Sequence, residues 1–430
     1  MFDDFHRIKR LPPYVFAEVN KLKASARARG ADIVDLGMGN PDLPAPKHVI
    51  DKLVETIGKP STDRYSASKG IAGLRRAQAA YYGRRFGVKL NAETEVIATL
   101  GSKEGFANMA QAITAPGDVV IVPNPSYPIH AFGFLMVGGV IRSVPAEPTP
   151  SFFPALERAI IHSIPKPIAV VVCYPANPTA YVASLDFYRD LVTFAKRHNI
   201  IILSDLAYAE VYFDDANPPP SVLQIPGALD VTVEFTSMSK TYSMAGWRIG
   251  FAVGNERLIS ALARVKSYLD YGAYTPIQVA ATAALNGPDD CITEMRATYR
   301  RRRDVLVESF GKAGFPITTP PTASMFAWVP IPEPFAKLGS LEFSKLLIDR
   351  ASVAVAPGIG FGEHGEGYVR IAIVENEHRI RQAARNLKRF LSTPPTSLHN
   401  VIPITDGQSD PQGGPASGSA KPASKSTGTR

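Results

Sequence analysis

The sequence predicts an α/β protein, with a large domain built on a mostly parallel sheet and a smaller α/β domain after it. Short, almost wholly apolar segments alternate with helical patterns from residue 96 to about residue 290. Such strands are typical of a parallel sheet that helices cover on both faces. After residue 290 the pattern changes to one long helix, followed by shorter strands and two further helices. Ligands of such sheets bind beyond the carboxyl ends of the strands.

Each predicted element rests on a local pattern of apolar side chains. In the large domain we predict strands at residues 96–100, 119–122, 168–173, 200–203 and 231–235. In the small domain we predict a helix at 291–312, strands near 324–329, 353–356 and 368–374, and helices at 341–349 and 376–391. Near the start, residues 11–16 predict an extended arm and residues 22–29 a short helix.

The composition of the chain also changes along its length. Residues 393–430 are rich in Pro, Ser, Gly, Thr and Lys, so they bury too little apolar surface to offset the entropy of ordering. We therefore predict four parts: an N-terminal arm with part of the small domain (1–47), a large ligand-binding domain (48–290), a small C-terminal domain (291–392) and a disordered tail (393–430).

The overall composition predicts a cytoplasmic protein with no membrane partner. Hydrophobic residues make up 45% and charged residues 20% of the 430, as in ordinary globular proteins. No apolar run approaches the roughly 18 residues of a membrane span, and the N-terminus lacks the order of a secretory signal. Two cysteines cannot form a disulfide framework, so we expect Cys173 and Cys291 to be small buried apolar groups.

The formal net charge of +8 raises the question of nucleic-acid binding. Four arginines stand together at residues 300–303, but no interleaved aromatic residues or base-reading motif accompany them. We therefore expect a solvated helix face there, with a mild preference for anionic substrates and no nucleic-acid partner.

The segment 236–250 is the most informative part of the chain. It places Lys240 shortly after a predicted strand, with Arg248 eight positions further on. A lysine that forms a Schiff base must be held still, partly desolvated and near a compensating charge. An isolated Ser-x-Ser-Lys is usually a surface lysine in a turn, so this interpretation depends on partners elsewhere in the sequence.

Several residues of the chain are suited to binding a phosphate group. Ser237 and Ser239 supply hydroxyls beside the lysine, and Arg248 supplies a planar guanidinium. Ser102 and Lys103 follow a predicted strand and a glycine, where backbone N–H groups at a helix start bind anions. Together these groups predict an anion site.

The remaining partners indicate pyridoxal 5′-phosphate as the cofactor, with Lys240 as its covalent attachment point. Asp205 can pair with the pyridine nitrogen and keep it protonated, which makes the ring an electron sink. Tyr208 and Asn177 can contact the phenolic oxygen of the ring, and Tyr127 can stack on its face. We assign no metal ion to this site.

Each of these residues, taken alone, has an ordinary explanation. Asp205 would be a helix cap and Asn177 a turn residue. Tyr127 would be a packing residue and Lys103 a surface charge. In this order, and each after a strand, they favour a single cofactor site.

Five motifs of this chain are also those of a known family. They are LPPYVF at 11–16, GMGNPD at 37–42, GSKEG at 101–105, NPSYPIH at 124–130 and the lysine segment 236–250. With them the chain resembles the class I and II aminotransferases of fold type I, from about residue 7 to residue 391. Among these it is most similar to bacterial glutamate–pyruvate (alanine) aminotransferases. The resemblance implies a mostly parallel seven-stranded sheet in the large domain.

The resemblance also implies roles for further residues. Tyr65 would reach the phosphate bound in the neighbouring subunit, so the protein would be a homodimer with shared active sites. Arg370 would bind the substrate α-carboxylate with help from the backbone of Gly39, and Asn177 and Tyr14 would also contact substrate. An arginine in an apolar strand is costly without a partner, and a substrate carboxylate is favoured here over a structural ion pair.

The expected reaction is transamination between an amino acid and a 2-oxo acid, with alanine and 2-oxoglutarate as the expected pair. Lys240 would remove the Cα proton of the amino acid, its proton affinity lowered by burial and nearby positive charge. Asp205 and Tyr208 would assist through the cofactor ring. Two substrates that use the site in turn would give ping-pong kinetics.

Three other functions remain open from the sequence. The amino donor could be methionine, an aromatic amino acid or LL-diaminopimelate. Relatives specific for diaminopimelate tend to carry an acidic residue where this chain has Ser-Ala-Ser-Lys at 66–69, which argues against a distal ammonium. The same cofactor could serve a β-lyase or a decarboxylase. A ligand-sensing domain of a transcription regulator would need a DNA-binding domain ahead of it, and only about thirty residues precede the fold here.

Overall fold

A computed structural model describes residues 5–392 of the protein. The predicted tail, residues 393–430, lies outside the described residues. Within the described part of the chain, no helix is both long enough and apolar enough to cross a membrane. The division between a large and a small domain at residue 290 stays a prediction.

Twelve strands form three sheets within residues 5–392. The strands are β1 Val34–Asp35, β2 Val96–Thr99, β3 Val119–Asn124, β4 Val140–Pro145, β5 Ala169–Cys173, β6 Ile201–Asp205, β7 Thr232–Ser237, β8 Gly250–Gly254, β9 Phe326–Pro330, β10 Val353–Ala354, β11 Ala356–Pro357 and β12 Tyr368–Ala372. The largest sheet has seven strands in the order β2-β8-β7-β6-β5-β3-β4. Only β8 runs antiparallel to its neighbours in that sheet, so the prediction of a mostly parallel seven-stranded sheet is confirmed.

Fourteen α-helices accompany these strands in the described residues. They are α1 His6–Lys9, α2 Val15–Ala28, α3 Lys47–Ile57, α4 Ala72–Phe86, α5 Ser102–Ile113, α6 Ile129–Met136, α7 Phe152–Ile161, α8 Leu185–His198, α9 Met238–Thr241, α10 Glu256–Leu269, α11 Thr275–Asn286, α12 Asp290–Lys312, α13 Gly339–Ala351 and α14 Glu377–Leu391. Local signals fix their ends: the Ser184 side chain caps α8, and Asn199 ends it in the left-handed conformation.

The core of the large sheet is built from its central strands. All five residues of β5 and all six of β7 are buried, as expected of strands covered on both faces. Phe106 from α5 packs against Phe134 and Phe235, with ring centroids 6.1 and 4.8 Å away. This packing fixes α5 and α6 against β7.

Two smaller sheets join the N-terminal segment to the C-terminal part of the chain. β1 pairs in parallel with β10, and β12 lies between β11 and β9 in an antiparallel sheet. Leu36 links the two sheets, because its N–H donates to Ala354 and its carbonyl accepts from Ala372. The backbone that follows Leu36 is therefore held beside the strand that carries Arg370.

The predicted strands and helices are confirmed with small shifts of their ends, but three strands, β1, β4 and β8, were missed. β1 has only two residues, too few to give a pattern. β4 lies at the edge of the large sheet and is mostly exposed, so it lacks the apolar run of a buried strand. β8 begins and ends with glycine, which favours no strand from sequence alone. The predicted short N-terminal helix is longer than expected and spans Val15–Ala28.

Two predictions about single side chains are wrong. The arginine cluster at 300–303 is not simply a solvated face, because Arg302 is buried and forms an ion pair with Asp42. Cys173 is buried as expected, but Cys291 is partly exposed. Both differences arise from packing between segments that are distant in sequence, and a local sequence pattern gives no information about such packing.

Candidate active site

One pocket at the carboxyl ends of β5, β6 and β7 collects the predicted site residues. It brings together thirteen of the fourteen residues named from the sequence; they are Tyr14, Gly39, Ser102, Lys103, Tyr127, Asn177, Asp205, Tyr208, Ser237, Ser239, Lys240, Arg248 and Arg370. Tyr65 does not line this pocket. The sheet therefore places these thirteen residues beyond the carboxyl ends of its strands, where ligands of such sheets bind.

Lys240 stands in the short helix α9, directly after β7, and points into the pocket. Its Nζ donates to the carbonyl oxygen of Gly39 at 2.8 Å. Burial, followed by the charges of Arg370 and Arg248, lowers the pKa of Lys240 to about 8. A substantial fraction of this amine is thus neutral, and able to act as nucleophile or base, slightly above neutral pH.

The groups that were predicted to bind a phosphate form a cradle at the start of α5. Gly101 precedes the helix with φ +87°, and a Cβ there would lie 2.2 Å from Arg248 Nη2, so only glycine fits. The Arg248 guanidinium donates to the carbonyls of Ala245 and Leu100 at 2.9 and 3.0 Å. Helix-start N–H groups, a guanidinium and the hydroxyls of Ser237 and Ser239 make a site for a dianion.

Asp205 ends β6 and is held by a histidine that the sequence analysis did not single out. His130 Nε2 lies 2.9 Å from Asp205 Oδ2, and the Ala207 N–H donates to Oδ1 at 3.2 Å. His130 is fully buried, and its Nδ1 has no hydrogen-bond partner in residues 5–392. The sequence signal for His130 was its position in the NPSYPIH motif, and that motif did not indicate a role for the histidine.

Three side chains surround the space between Asp205 and Lys240. Burial, as the largest effect, raises the pKa of Tyr208 well above its usual value and also raises that of Tyr127, so both stay protonated and able to donate. Asn177 follows β5, and its Oδ1 accepts from Arg370 Nη1 at 2.7 Å. Hydroxyl and amide groups thus converge on one pocket.

Arg370 projects from β12 into the pocket as a cation with no acidic partner. Its Nη2 donates to the Gly37 carbonyl at 2.9 Å, and its guanidinium carbon lies 4.0 Å from the ring centre of Phe326 and 4.6 Å from that of Phe361. Within residues 5–392 it forms no salt bridge, and its buried Nε has no partner. Burial lowers its pKa to about 10, so it remains charged near neutral pH.

Tyr65 and Tyr14 lie further out than the other predicted residues. Tyr65 is 85% exposed, and its ring lies 4.5 Å from that of Tyr271, itself 60% exposed. Tyr14 lies at the rim of the pocket, with its ring 5.3 Å from Phe16. Of these two predicted residues, only Tyr14 belongs to the pocket.

The chemistry of these groups fits pyridoxal 5′-phosphate. The Gly101–Arg248 cradle suits the phosphate, and the carboxylate of Asp205 suits a pyridine nitrogen. Tyr208 suits a phenolic oxygen, and the amine of Lys240 suits an aldehyde. Arg370, with an unpaired Nε, remains available to a carboxylate of the substrate.

Comparison with curated proteins gives relatives along nearly the whole chain. It is 74% identical over 402 residues to the putative aminotransferase AatC of Rhizobium meliloti (strain 1021), which covers 94% of this chain and 99% of that protein. It is 51% identical to the glutamate-pyruvate aminotransferase AlaC of Escherichia coli (strain K12), with 92% and 96% covered. It is 41% identical to the LL-diaminopimelate aminotransferase of Moorella thermoacetica, with 90% and 97% covered.

A solved structure and a family model agree with these relatives. Substrate-bound BacF from Bacillus subtilis superposes with a TM-score of 0.86 at 33% identity, covering 91% of this chain and 98% of BacF. The family model for aminotransferase class I and II matches residues 31–387. The chain therefore belongs to the class I and II aminotransferases, the pyridoxal-phosphate-dependent transaminases of fold type I.

Proposed function

We propose that this aminotransferase moves the amino group of alanine to 2-oxoglutarate, giving pyruvate and glutamate. The observation that carries the proposal is its 51% identity, across nearly the full length, to a glutamate-pyruvate aminotransferase. The segment 66–69 adds support, because it offers no acidic side chain to a substrate with a distal ammonium.

In this proposal Lys240 holds the cofactor covalently and moves the substrate proton. When bound, pyridoxal phosphate supplies an electron sink that stabilises negative charge developing at the substrate Cα. Lys240, with its pKa lowered to about 8, removes the Cα proton once its amine is free and neutral. Asp205 would hold the pyridine nitrogen of the bound cofactor, and Tyr208 would donate to its phenolic oxygen.

Arg370 orients both substrates in turn. Its guanidinium, held by Asn177 and Gly37, presents a fixed fork to the α-carboxylate, which amino acids and 2-oxo acids share. Because both substrates use this one fork at different times, the proposal implies ping-pong kinetics.

The covalent role of Lys240 is tested by reducing the holoenzyme with borohydride and mapping the pyridoxyl label by peptide mass spectrometry. We expect the label on Lys240 alone. Its recovery on another lysine, or on none, would refute the assignment. Lys47, whose side chain is 86% exposed, serves as an internal control, because unspecific adducts form on accessible amines.

The substrate is tested with a panel of amino acids against 2-oxoglutarate. We expect alanine to give the highest kcat/KM. The 41% identity to an LL-diaminopimelate aminotransferase makes LL-diaminopimelate the second candidate. A higher kcat/KM for LL-diaminopimelate would reverse the assignment, and pyruvate with ammonia in the absence of any 2-oxo acid would indicate a β-lyase.

We propose further that the enzyme acts as a homodimer, with Tyr65 reaching the cofactor phosphate of the partner subunit. The exposed rings of Tyr65 and Tyr271 support this, because large aromatic side chains concentrate at interfaces. The test mixes two inactive variants, Tyr65→Ala and Lys240→Ala, after unfolding and refolding. A shared site predicts recovery of activity, since each mixed dimer then has one complete site; no recovery would contradict it.

A cytoplasmic location is proposed as well. Cys173 and Cys291 are both free thiols, which suits a reducing compartment. Fractionation of cells that express a tagged chain would test it, and recovery outside the cytoplasm would refute it.

A further inference from the structure

The loop of residues 36–42, here called the glycine loop, hydrogen-bonds to both cations that face the substrate space. The Gly37 carbonyl accepts from Arg370 Nη2 at 2.9 Å, across 333 residues of sequence. The Gly39 carbonyl accepts from Lys240 Nζ at 2.8 Å, across 201 residues. The position of this loop therefore determines the hydrogen-bonding environment of both Arg370 and Lys240.

The two ends of the glycine loop are fixed in different ways. At the first end, Leu36 is bonded through both its N–H and its carbonyl, and the Asp35 carboxylate accepts from the Gly37 N–H at 3.1 Å and from Lys23 at 2.8 Å. Beyond Gly37 the pattern changes. Residues 38–45 form no backbone–backbone hydrogen bond with residues 5–392.

An ion pair to α12 is what fixes the second end. Arg302 Nη1 and Nη2 donate to the two carboxylate oxygens of Asp42, each at 2.7 Å, and Nη1 also donates to the Val374 carbonyl at 3.2 Å. Arg302 is 5% exposed, whereas the Asp42 side chain is 39% exposed, so this bidentate pair is shielded from water on the arginine side only. Apart from the Lys240 bond, it is the polar anchor of residues 38–45 among the described residues.

Between the two anchors the loop has little room to shift without cost. A Cβ at Gly39 would lie 2.5 Å from the Phe326 ring, the ring over which the Arg370 guanidinium stacks at 4.0 Å. A displacement of Gly39 thus changes the contacts of Phe326, and through them those of Arg370. The loop, the ring and the two cations form one packed unit.

We propose that Asp42 and Arg302 are positioning residues, whose ion pair holds the glycine loop against Lys240. The hydrogen bond from Lys240 to Gly39 stabilises the protonated amine. A loosened loop weakens that bond, so the amine loses its proton at a lower pH. Asp42 acts here through the loop, because the charges that perturb Lys240 are those of Arg370 and Arg248.

The first experiment measures the amine in protein freed of cofactor. Competitive acetylation with trace labelled acetic anhydride, read out on the Lys240 peptide from pH 6 to 11, gives the midpoint of its titration. We expect Asp42→Asn to lower the titration midpoint of Lys240 by about half a pH unit or more. The midpoint falls because the protonated amine loses a hydrogen bond that stabilises its charge. Arg302→Lys, which keeps both charges but loses the fork, should shift it the same way by less.

The control is Asp32→Asn, which removes a similar ion pair a few residues before the loop. Asp32 Oδ2 accepts from Arg379 Nη1 at 2.7 Å, and Asp32 touches neither the loop carbonyls nor the pocket. We expect the titration midpoint of Lys240 in the Asp32→Asn variant to match that in the wild type. Equal midpoints for Asp42→Asn and Asp32→Asn would overturn the proposal. Circular dichroism checks folding, and if Asp42→Asn does not fold, Arg302→Lys decides by the same comparison.

A second readout rests on the proposed role of Arg370. If the loop also orients the carboxylate fork, Asp42→Asn should raise KM for both the amino acid and the 2-oxo acid several-fold while lowering kcat less. An unchanged KM for both substrates would refute this part. Failure of the borohydride assignment would leave the acetylation result intact, so the two proposals can fail separately.

Discussion

His130 Nε2 lies 2.9 Å from Asp205 Oδ2 inside the core, although 75 residues separate the two in sequence. The imidazole is enclosed by the rings of Phe106 and Tyr127, with centroids 5.0 and 5.9 Å away. With Ala207 N–H on the other oxygen, both carboxylate oxygens are engaged, so the Asp205 side chain has one orientation. That orientation faces the space assigned to the pyridine nitrogen.

We predict that His130→Leu lowers kcat/KM by on the order of tenfold, because a carboxylate that loses its supporting partner can rotate away from the ring nitrogen. The absorbance spectrum of the bound cofactor should change as well. His130→Gln, which can still donate to Asp205, should lose less. Wild-type kcat/KM and spectrum in His130→Leu would contradict this role.

Replacing Arg370 by lysine should raise KM for the amino acid and for the 2-oxo acid together. A single ammonium cannot bond Asn177, Gly37 and a carboxylate at once as the guanidinium fork does. We expect kcat/KM to fall roughly 10- to 100-fold, as for loss of one hydrogen bond to a charged group. Arg379→Lys, a surface pair with Asp32, is the control. An effect on only one of the two substrates would argue against a shared carboxylate site.

The lowered pKa of Lys240 predicts that this lysine destabilises the cofactor-free fold. The folded pKa of about 8 lies below the ordinary value of 10.5, so between these pH values the unfolded chain binds more protons than the folded one. The penalty is fully present below pH 8 and is relieved as the pH rises toward 10.5. Lys240→Met should therefore raise Tm most below pH 8, and the difference from wild type should shrink above it.

Thermal unfolding of both cofactor-free proteins from pH 6 to 10.5 measures this difference. Lys266→Met provides the contrast: Lys266 is buried but paired with Glu104 and Asp270, so its loss should lower Tm. A Tm of Lys240→Met equal to or below that of wild type at pH 7 would show that the Gly39 hydrogen bond outweighs the burial of the charge.

The phosphate cradle predicts different outcomes for two glycines that both have a positive φ but differ in ψ. Gly101 has φ +87° and Gly87 has φ +68°, so alanine is strained at both. Only at Gly101 would the new Cβ meet another side chain, Arg248 Nη2 at 2.2 Å, whereas nothing lies within 4 Å at Gly87. We expect Gly101→Ala to weaken cofactor binding at least about tenfold, since Arg248 must move.

Cofactor affinity, measured by fluorescence titration of the cofactor-free variants, separates the two effects. Gly87→Ala, at a left-handed residue with ψ 15°, should lower Tm less than Gly101→Ala, at ψ 157°, and should keep wild-type affinity. Equal affinities in the two variants would mean that Arg248 does not bind the phosphate.

Much of this protein could be predicted from its sequence because the signals are local. The buried strands β3, β5 and β6 begin with nearly continuous apolar runs, which are typical of a sheet covered on both faces. The polar residues after these strands and β7, such as Asp205 and Lys240, then had to meet at one edge, because parallel strands end on the same side.

What only the tertiary structure decided are the contacts between segments hundreds of residues apart. Arg302 belongs to a run of arginines that resembles any solvated helix face, and its burial against Asp42 depends on how α12 packs. The Gly39 carbonyl and the Lys240 amine are ordinary groups until the chain brings them to 2.8 Å. A local pattern encodes which face of an element is buried, but the partner it meets is set by packing, and packing sets the position and proton affinity of Lys240.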